Sequence, residues 1–466
     1  MTKSRIPFRH KLISVPPARV APERAEHREL SADLYRVLAV VIVVIGHWLL
    51  AAVTYQRGRF GYVEVLAEMP WTQWLTWFFQ VVPVFFVVAG YANAASWTRW
   101  CANDSGHRRD WLRHRVAGIL GPTTAYVAVL VAIVAVLRLV GIDRSQLGMP
   151  AWVVALHLWF IPVYLAVVSL TPIAVAAQRR WGLKVPATLA VAVATVDAVT
   201  LGGHVPGIGW VNYALCWGAI YQFGVAWFGG AFRGRRPLVL ATGAAIVLAI
   251  VIGLRLYPVS MIGVPGQTVQ NTSPPTVALL ALAAVQAGLL VAAAPTVTAW
   301  LRRSRWPGVL VIANQNAFAL YLWHMVPVLV VALIAYPTGL LPQPDLGSGL
   351  WWLWRLAWVA ILSAVTAAEL LLLWSGRSLF AHPLPTVGVR LRLRWSEPLL
   401  VVGTIVAVFA LWRLAAGGFA PGGRFPLATV LLYATGVVLA SLGPIKTRDI
   451  MAKGSPGSVQ KRGGDR

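Results

Sequence analysis

Acidic side chains are scarce in this chain of 466 residues, where 15 Asp and Glu stand against 40 Lys and Arg and charged residues make up only 12%. Soluble domains carry about 25%, so a soluble enzyme of this length is excluded. Cysteine is nearly missing too. Cys101 and Cys216 cannot build a disulfide framework, and neither has metal-ligand spacing. What the chain does have is apolar: 58% of its residues, with a mean hydropathy of +0.69, gathered in runs of about 20, the length that crosses a hydrocarbon core. The cation excess would suggest nucleic acid on a soluble protein. Here the cations sit in short connections between apolar runs, so the expected partner is the lipid bilayer and no nucleic acid is expected.

The runs cover 34–54, 74–97, 118–140, 152–177, 185–201, 211–231, 237–256, 276–300, 309–336, 351–374, 398–415 and 425–443, predicting twelve helices. They are continuous rather than alternating, which excludes a closed barrel and leaves an all-α, polytopic helical bundle. Cytoplasmic loops collect Lys and Arg, which tests the count. Alternate connections hold Arg99 to Arg115, Arg179 to Lys184, Arg233 to Arg236, Arg302 to Arg305 and Arg377 to Arg394; those between hold only Arg57, Arg59, Arg144 and Arg424. Both termini are therefore expected in the cytoplasm, with an even number of spans. Runs 185–201 and 237–256 are the weakest in length, and a ten-helix reading omits them. The chain divides into a polar, Pro-rich tail over 1–33, expected to be disordered and uncleaved, a membrane domain over 34–375, a basic loop over 376–397, two further helices over 398–443, and a tail over 444–466. The expected location is the cytoplasmic (inner) membrane.

An ionisable side chain in hydrocarbon costs about 2.5 to 3.5 kcal/mol on insertion scales, so each one is a functional candidate. Asp33 and Arg36 open the first run, and His47 lies on the same face, about 20° around the helix from Arg36. At a rise of about 1.5 Å per residue, His47, His157 and His324 share one depth, and Asp197 on the fifth run joins that layer; Glu369 does not. Histidine suits general-base work near neutral pH. The alternative is that each ring merely donates to a carbonyl on a neighbouring helix. Three His can also hold zinc, but no two stand at local ligand spacing and no metal is expected. Arg108, Arg109, Arg113 and Arg115 are placed to bind a phosphorylated cofactor, or serve only topology and headgroup contacts. The tryptophans mark the membrane interface.

Five segments together resemble the integral-membrane acyltransferases of family 3. RELSADLYRVLAVVIVVIGHWLL, residues 28 to 50, has a basic residue followed eleven positions later by His. PVFFVVAGYANAASW, residues 83 to 97, is similar to the family's second helix with its FF and small-Gly signature. WLRHRVAGILGP (111 to 122), HLWFIPVYL (157 to 165) and LYLWH (320 to 324) follow in the family's order. The resemblance covers residues 30 to about 375 and leaves the last two runs outside it.

The resemblance implies transfer of an acyl group, commonly acetyl, from cytoplasmic acyl-CoA to a hydroxyl of a cell-surface glycan, a lipid-linked sugar or a related product. It implies His47 as base, Arg36 and Arg115 at the cofactor phosphates, and His157, Trp159, Tyr321 and His324 on the acceptor side. Many members place an acid before the FF pair to orient the His. Pro83 stands there in this chain, leaving Gln80, one turn earlier, or Asp197 as substitutes. Gly118 likewise stands where a second Arg often follows. No esterase-like domain follows the helices, so a second transfer step would need a separate envelope partner. The rival reading is a transporter or flippase for a lipid-linked glycan or hydrophobic small molecule. It favours helix breakers in paired helices, of which Gly224, Pro162 and Pro327 give an unpaired version.

Overall fold

The computed structural model describes residues 29–103, 107–203, 205–389 and 395–444. The tails over 1–28 and 445–466, and Arg390, Arg392 and Arg394 of the basic loop, lie outside the described residues.

Helix α1 (Leu30–Leu50) carries Asp33 in its first turn, where the helix dipole favours an acid. It stops short of the expected residue 54 because Val53, Thr54 and Tyr55 prefer extended backbone. They form β1 (Ala52–Gln56), antiparallel to β2 (Arg59–Val63). Arg57 and Gly58, with φ of 50° and 80°, make the positive-φ two-residue turn that matches strand twist. Helix α2 (Val82–Ala102) begins at Pro83, whose fixed φ suits a first helical turn. After α3 (Arg108–Leu139), the fourth run divides into α4 (Arg144–Val153), a 3-10 turn over Leu156–Trp159, α5 (Phe160–Ser169) and α6 (Thr171–Trp181). Helices α7 (Lys184–Leu201), α8 (Asn212–Phe228), α9 (Arg236–Gly253) and α10 (Val277–Arg303) follow. The ninth run is also divided, into α11 (Pro307–Trp323) and α12 (Val326–Ala335), before α13 (Gly349–Ser375), α14 (Ser396–Gly417) and α15 (Leu427–Ser441).

The chain is an all-α, multi-pass membrane bundle. Among the described residues eight helices are long and apolar enough to cross a membrane, or ten with each bent pair taken as one span. The other two apolar runs form α8, of 17 residues, and α15, of 15. They rise about 25 and 22 Å, short of a core of about 30 Å. The two runs weakest in sequence, now α7 and α9, reach 18 residues each.

Small residues bring the helices together, as lipid supplies no hydrophobic drive between them. A Cβ at Gly90 would stand 2.1 Å from the Tyr221 carbonyl oxygen, and one at Gly224 1.8 Å from that of Val87, so α2 and α8 meet backbone to backbone. Gly403 and Gly436 do the same for α14 and α15. The two broken spans bend by 47° and 53°. Pro327 causes the second break: it lacks an N–H, and its ring clashes with the carbonyl four residues back at Trp323, where α11 ends. Such breaks are tolerated in a membrane where the bundle re-satisfies the freed backbone. Here they face each other.

Candidate active site

With both rings neutral, the hydrogen bonds around the breaks fix the tautomers of His324 and His47. His324 Nδ1 lies 2.7 Å from the Tyr321 carbonyl oxygen, and its Nε2 lies 2.8 Å from His47 Nδ1. A carbonyl only accepts, so the His324 proton is on Nδ1 and its Nε2 carries a lone pair. His47 must then donate from Nδ1, which leaves a lone pair on His47 Nε2. The Tyr321 carbonyl thereby sets the tautomer of both rings, with no carboxylate among the described partners of His47. The Trp48 indole N–H donates to the His324 carbonyl at 2.8 Å, the Tyr321 hydroxyl donates to the His157 carbonyl, and His157 Nε2 donates to the Leu322 carbonyl at 3.0 Å. His157 Nδ1 is buried without a partner. His324 is 0% exposed, whereas His47 is only half-buried.

His47 lines a cavity of about 380 Å³. The cavity starts at Ala39, less than a turn beyond Arg36 on α1, and passes Val40 and Val43 to reach His47 and Leu50. Far from the basic end it meets Ile262, Gly263, Thr272 and Ser273 of the α9–α10 connection. Gln80, His157, Trp159 and Tyr321 share the wall, and α14 adds Trp412, Ala415 and Ala416. A largely apolar hollow with a few converging polar groups is the usual form of a small-molecule site.

At the basic end, Arg115 lies over Trp111, 5.5 Å from the ring centre. Its Nε is buried without a partner, and Arg36 and Arg99 stand close enough to act on its charge. Among the described residues no carboxylate lies within 4.0 Å of these three. The other expected cofactor ligands do different work. Arg108 pairs with Glu397 at 3.2 Å and Arg109 with Asp110 at 3.6 Å. Arg113 donates to the Ala440 carbonyl and the Ser396 hydroxyl, both at 3.2 Å. Arg108 and Arg113 thus fasten α3 to α14 and α15, whereas the Nε of Arg109, like that of Arg115, is buried without a hydrogen-bond partner, and Arg99 stands beside the expected Arg36 and Arg115. Arg99 looked like a topology charge because nothing in its local sequence separates it from its neighbours.

Neither expected substitute for the missing acid bonds to His47. Gln80 lies in the cavity wall, but its amide donates to the Met261 carbonyl at 2.9 Å. Asp197 accepts from Asn212 Nδ2 at 2.7 Å, the Tyr257 hydroxyl at 2.8 Å and the Val277 N–H at 2.7 Å. It joins α7, α8 and the α9–α10 connection to the first residue of α10, and does not line the cavity. The group on His47 is His324, 277 positions away. His324 does not line the cavity either, so its expected place on the acceptor side is corrected to one behind the His47 ring.

A family model described as an acyltransferase domain matches residues 29–374. No curated protein and no solved structure matches the chain.

Proposed function

The chain belongs to the integral-membrane acyltransferases of family 3, and from that premise we propose that it moves an acyl group, most simply acetyl, from acyl-CoA held at the basic end to a hydroxyl entering from the opposite end. The acceptor is a cell-surface glycan, a lipid-linked sugar or a related product. The carrying observation is the lone pair on His47 Nε2 in a cavity that runs from beside Arg36 to the far connections.

In this reading His47 Nε2 takes the proton of the acceptor hydroxyl, whose oxygen attacks the thioester carbonyl. The C–S bond then breaks, and the imidazolium returns the proton to the leaving sulfur, giving an ester and free CoA. Arg36, Arg99 and Arg115 hold the CoA phosphates through charge-assisted bonds. Arg36 precedes His47 by about 16 Å of helix, so the acyl-bearing arm rather than the nucleotide reaches the base. His157, Trp159 and Tyr321 face the acceptor. The basic end lies in the cytoplasm of an inner-membrane enzyme, where acyl-CoA is available, and a separate envelope partner carries a lipid-linked product onward.

The test is transfer from radiolabelled acetyl-CoA by the purified protein in nanodiscs, with membrane lipid extract as mixed acceptor. Transfer should drop by roughly 10² to 10⁴ in His47→Ala, with unchanged expression. Equal transfer by the two proteins would sink the mechanism.

A further inference from the structure

A second cavity, of about 220 Å³, lies at the end of the bundle away from the basic loops, between the β1–β2 hairpin, residues 341–346 and the start of α13. Arg355 is in its wall and only 7% exposed. Its Nη1 donates to the Ala51 carbonyl at 3.1 Å, and its guanidinium stands 4.6 Å from the centre of the Trp351 ring. The negative end of α1 and the indole face offset part of its desolvation. Its remaining N–H groups bond to no described residue, and among the described residues no carboxylate lies within 4.0 Å. Asp345 stands at the rim, exposed. A buried cation without a counter-ion is expensive to keep.

Trp358 is 4% exposed, lines the same cavity, and its indole N–H has no partner. Its ring is held parallel to Tyr336, with centres 5.9 Å apart. The indole nitrogen is sealed from the cavity, so Trp358 lends it an aromatic wall and no donor.

We propose that this cavity binds an anionic group, a carboxylate or a phosphate, which accepts from the Arg355 guanidinium while Trp351, Trp354 and Trp358 wall it in. The volume lies below the roughly 300 to 1,000 Å³ of drug-sized sites, which suits a single acidic group or one sugar-sized unit. The bound anion contacts the element that holds the end of α1, since the Ala51 N–H also bonds back to the His47 carbonyl at 2.8 Å. The site does not depend on the acyl-transfer reading.

The experiment uses the full chain in nanodiscs of zwitterionic phosphatidylcholine, titrated separately with glucuronate and with inorganic phosphate and read by tryptophan fluorescence and by Tm. Nanodiscs containing phosphatidylglycerol form a parallel arm. Arg355→Gln removes the charge and Arg355→Lys keeps it. Affinity for the anion should fall about tenfold or more in the first variant and less in the second. A Tm raised by phosphatidylglycerol alone identifies a lipid headgroup as the source, and a response confined to the soluble anions identifies a soluble one. Either supports the site. It is overturned if neither anion nor phosphatidylglycerol shifts the wild type, or if Arg355→Gln responds as the wild type does.

Discussion

His324→Leu removes the acceptor for the His47 Nδ1 proton while keeping a side chain in the space behind it. The 2.8 Å bond is lost, and a donor left unsatisfied in a half-buried position costs about 1 to 3 kcal/mol. The ring is also released to place its proton on Nε2, where it cannot act as a base. Since about 1.36 kcal/mol is tenfold in rate, kcat should fall by roughly 5- to 150-fold. This is less than the roughly 10² to 10⁴ expected from losing the base altogether. His324→Gln offers an amide oxygen to the same proton and should recover most of the loss. The assay is CoA thiol release in nanodiscs at limiting and saturating acyl-CoA. KM for acyl-CoA should stay constant, because His324 touches neither the cavity nor the basic end. A Leu variant within twofold of wild type, or equal kcat for the Leu and Gln variants, would refute the proton assignment.

Arg115→Ala should raise KM for acyl-CoA about tenfold with little change in kcat, while Arg108→Ala, which breaks only an exposed pair with Glu397, leaves KM where it was. Asp197→Ala removes the acceptor of three short bonds and should cost about 3 kcal/mol of stability, read as a lower Tm in detergent with KM unchanged in the folded fraction; an unaltered Tm contradicts the bracing role. Gly224→Ala would push a Cβ to 1.8 Å from the Val87 oxygen, whereas a Cβ at Gly218 meets nothing within 4 Å. The first variant should therefore fail to fold or lose about 3 kcal/mol or more, and Gly218→Ala should behave as wild type in thermal melts.

The histidine layer was legible in sequence because hydrocarbon makes His47, His157 and His324 conspicuous. Their division of labour was not. Which ring backs which depends on the bends beside Val154 and His324, and hydropathy treats a bent span as straight. Pro327 announced a break, but not that the freed carbonyls would aim at the ring of His157. The arginines were hard to tell apart for a different reason. Arg108, Arg113 and Arg115 look alike in a short basic segment, and only the docking of α14 and α15 separates the braces from the free cation. Asp197 was expected to join the histidine layer but bonds to residues 212, 257 and 277, contacts that no helical period reveals. Twelve apolar runs overstated the number of membrane-length helices because apolarity reports burial as readily as lipid exposure, and α8 is packed inside the bundle.

The stretch that carries the family's pattern ends at residue 374, yet Trp412, Ala415 and Ala416 stand in the wall beside His47. Just past α14, the Phe419 N–H is bonded to the Ala151 carbonyl at 3.1 Å, against the bend that carries His157. Chemistry and fit are thereby written in separate stretches of one polypeptide. If the chain acts as proposed, drift in the appended hairpin of helices recontours the wall beside His47 while the three histidines keep their places, and acceptor choice can then change without any change in the proposed base.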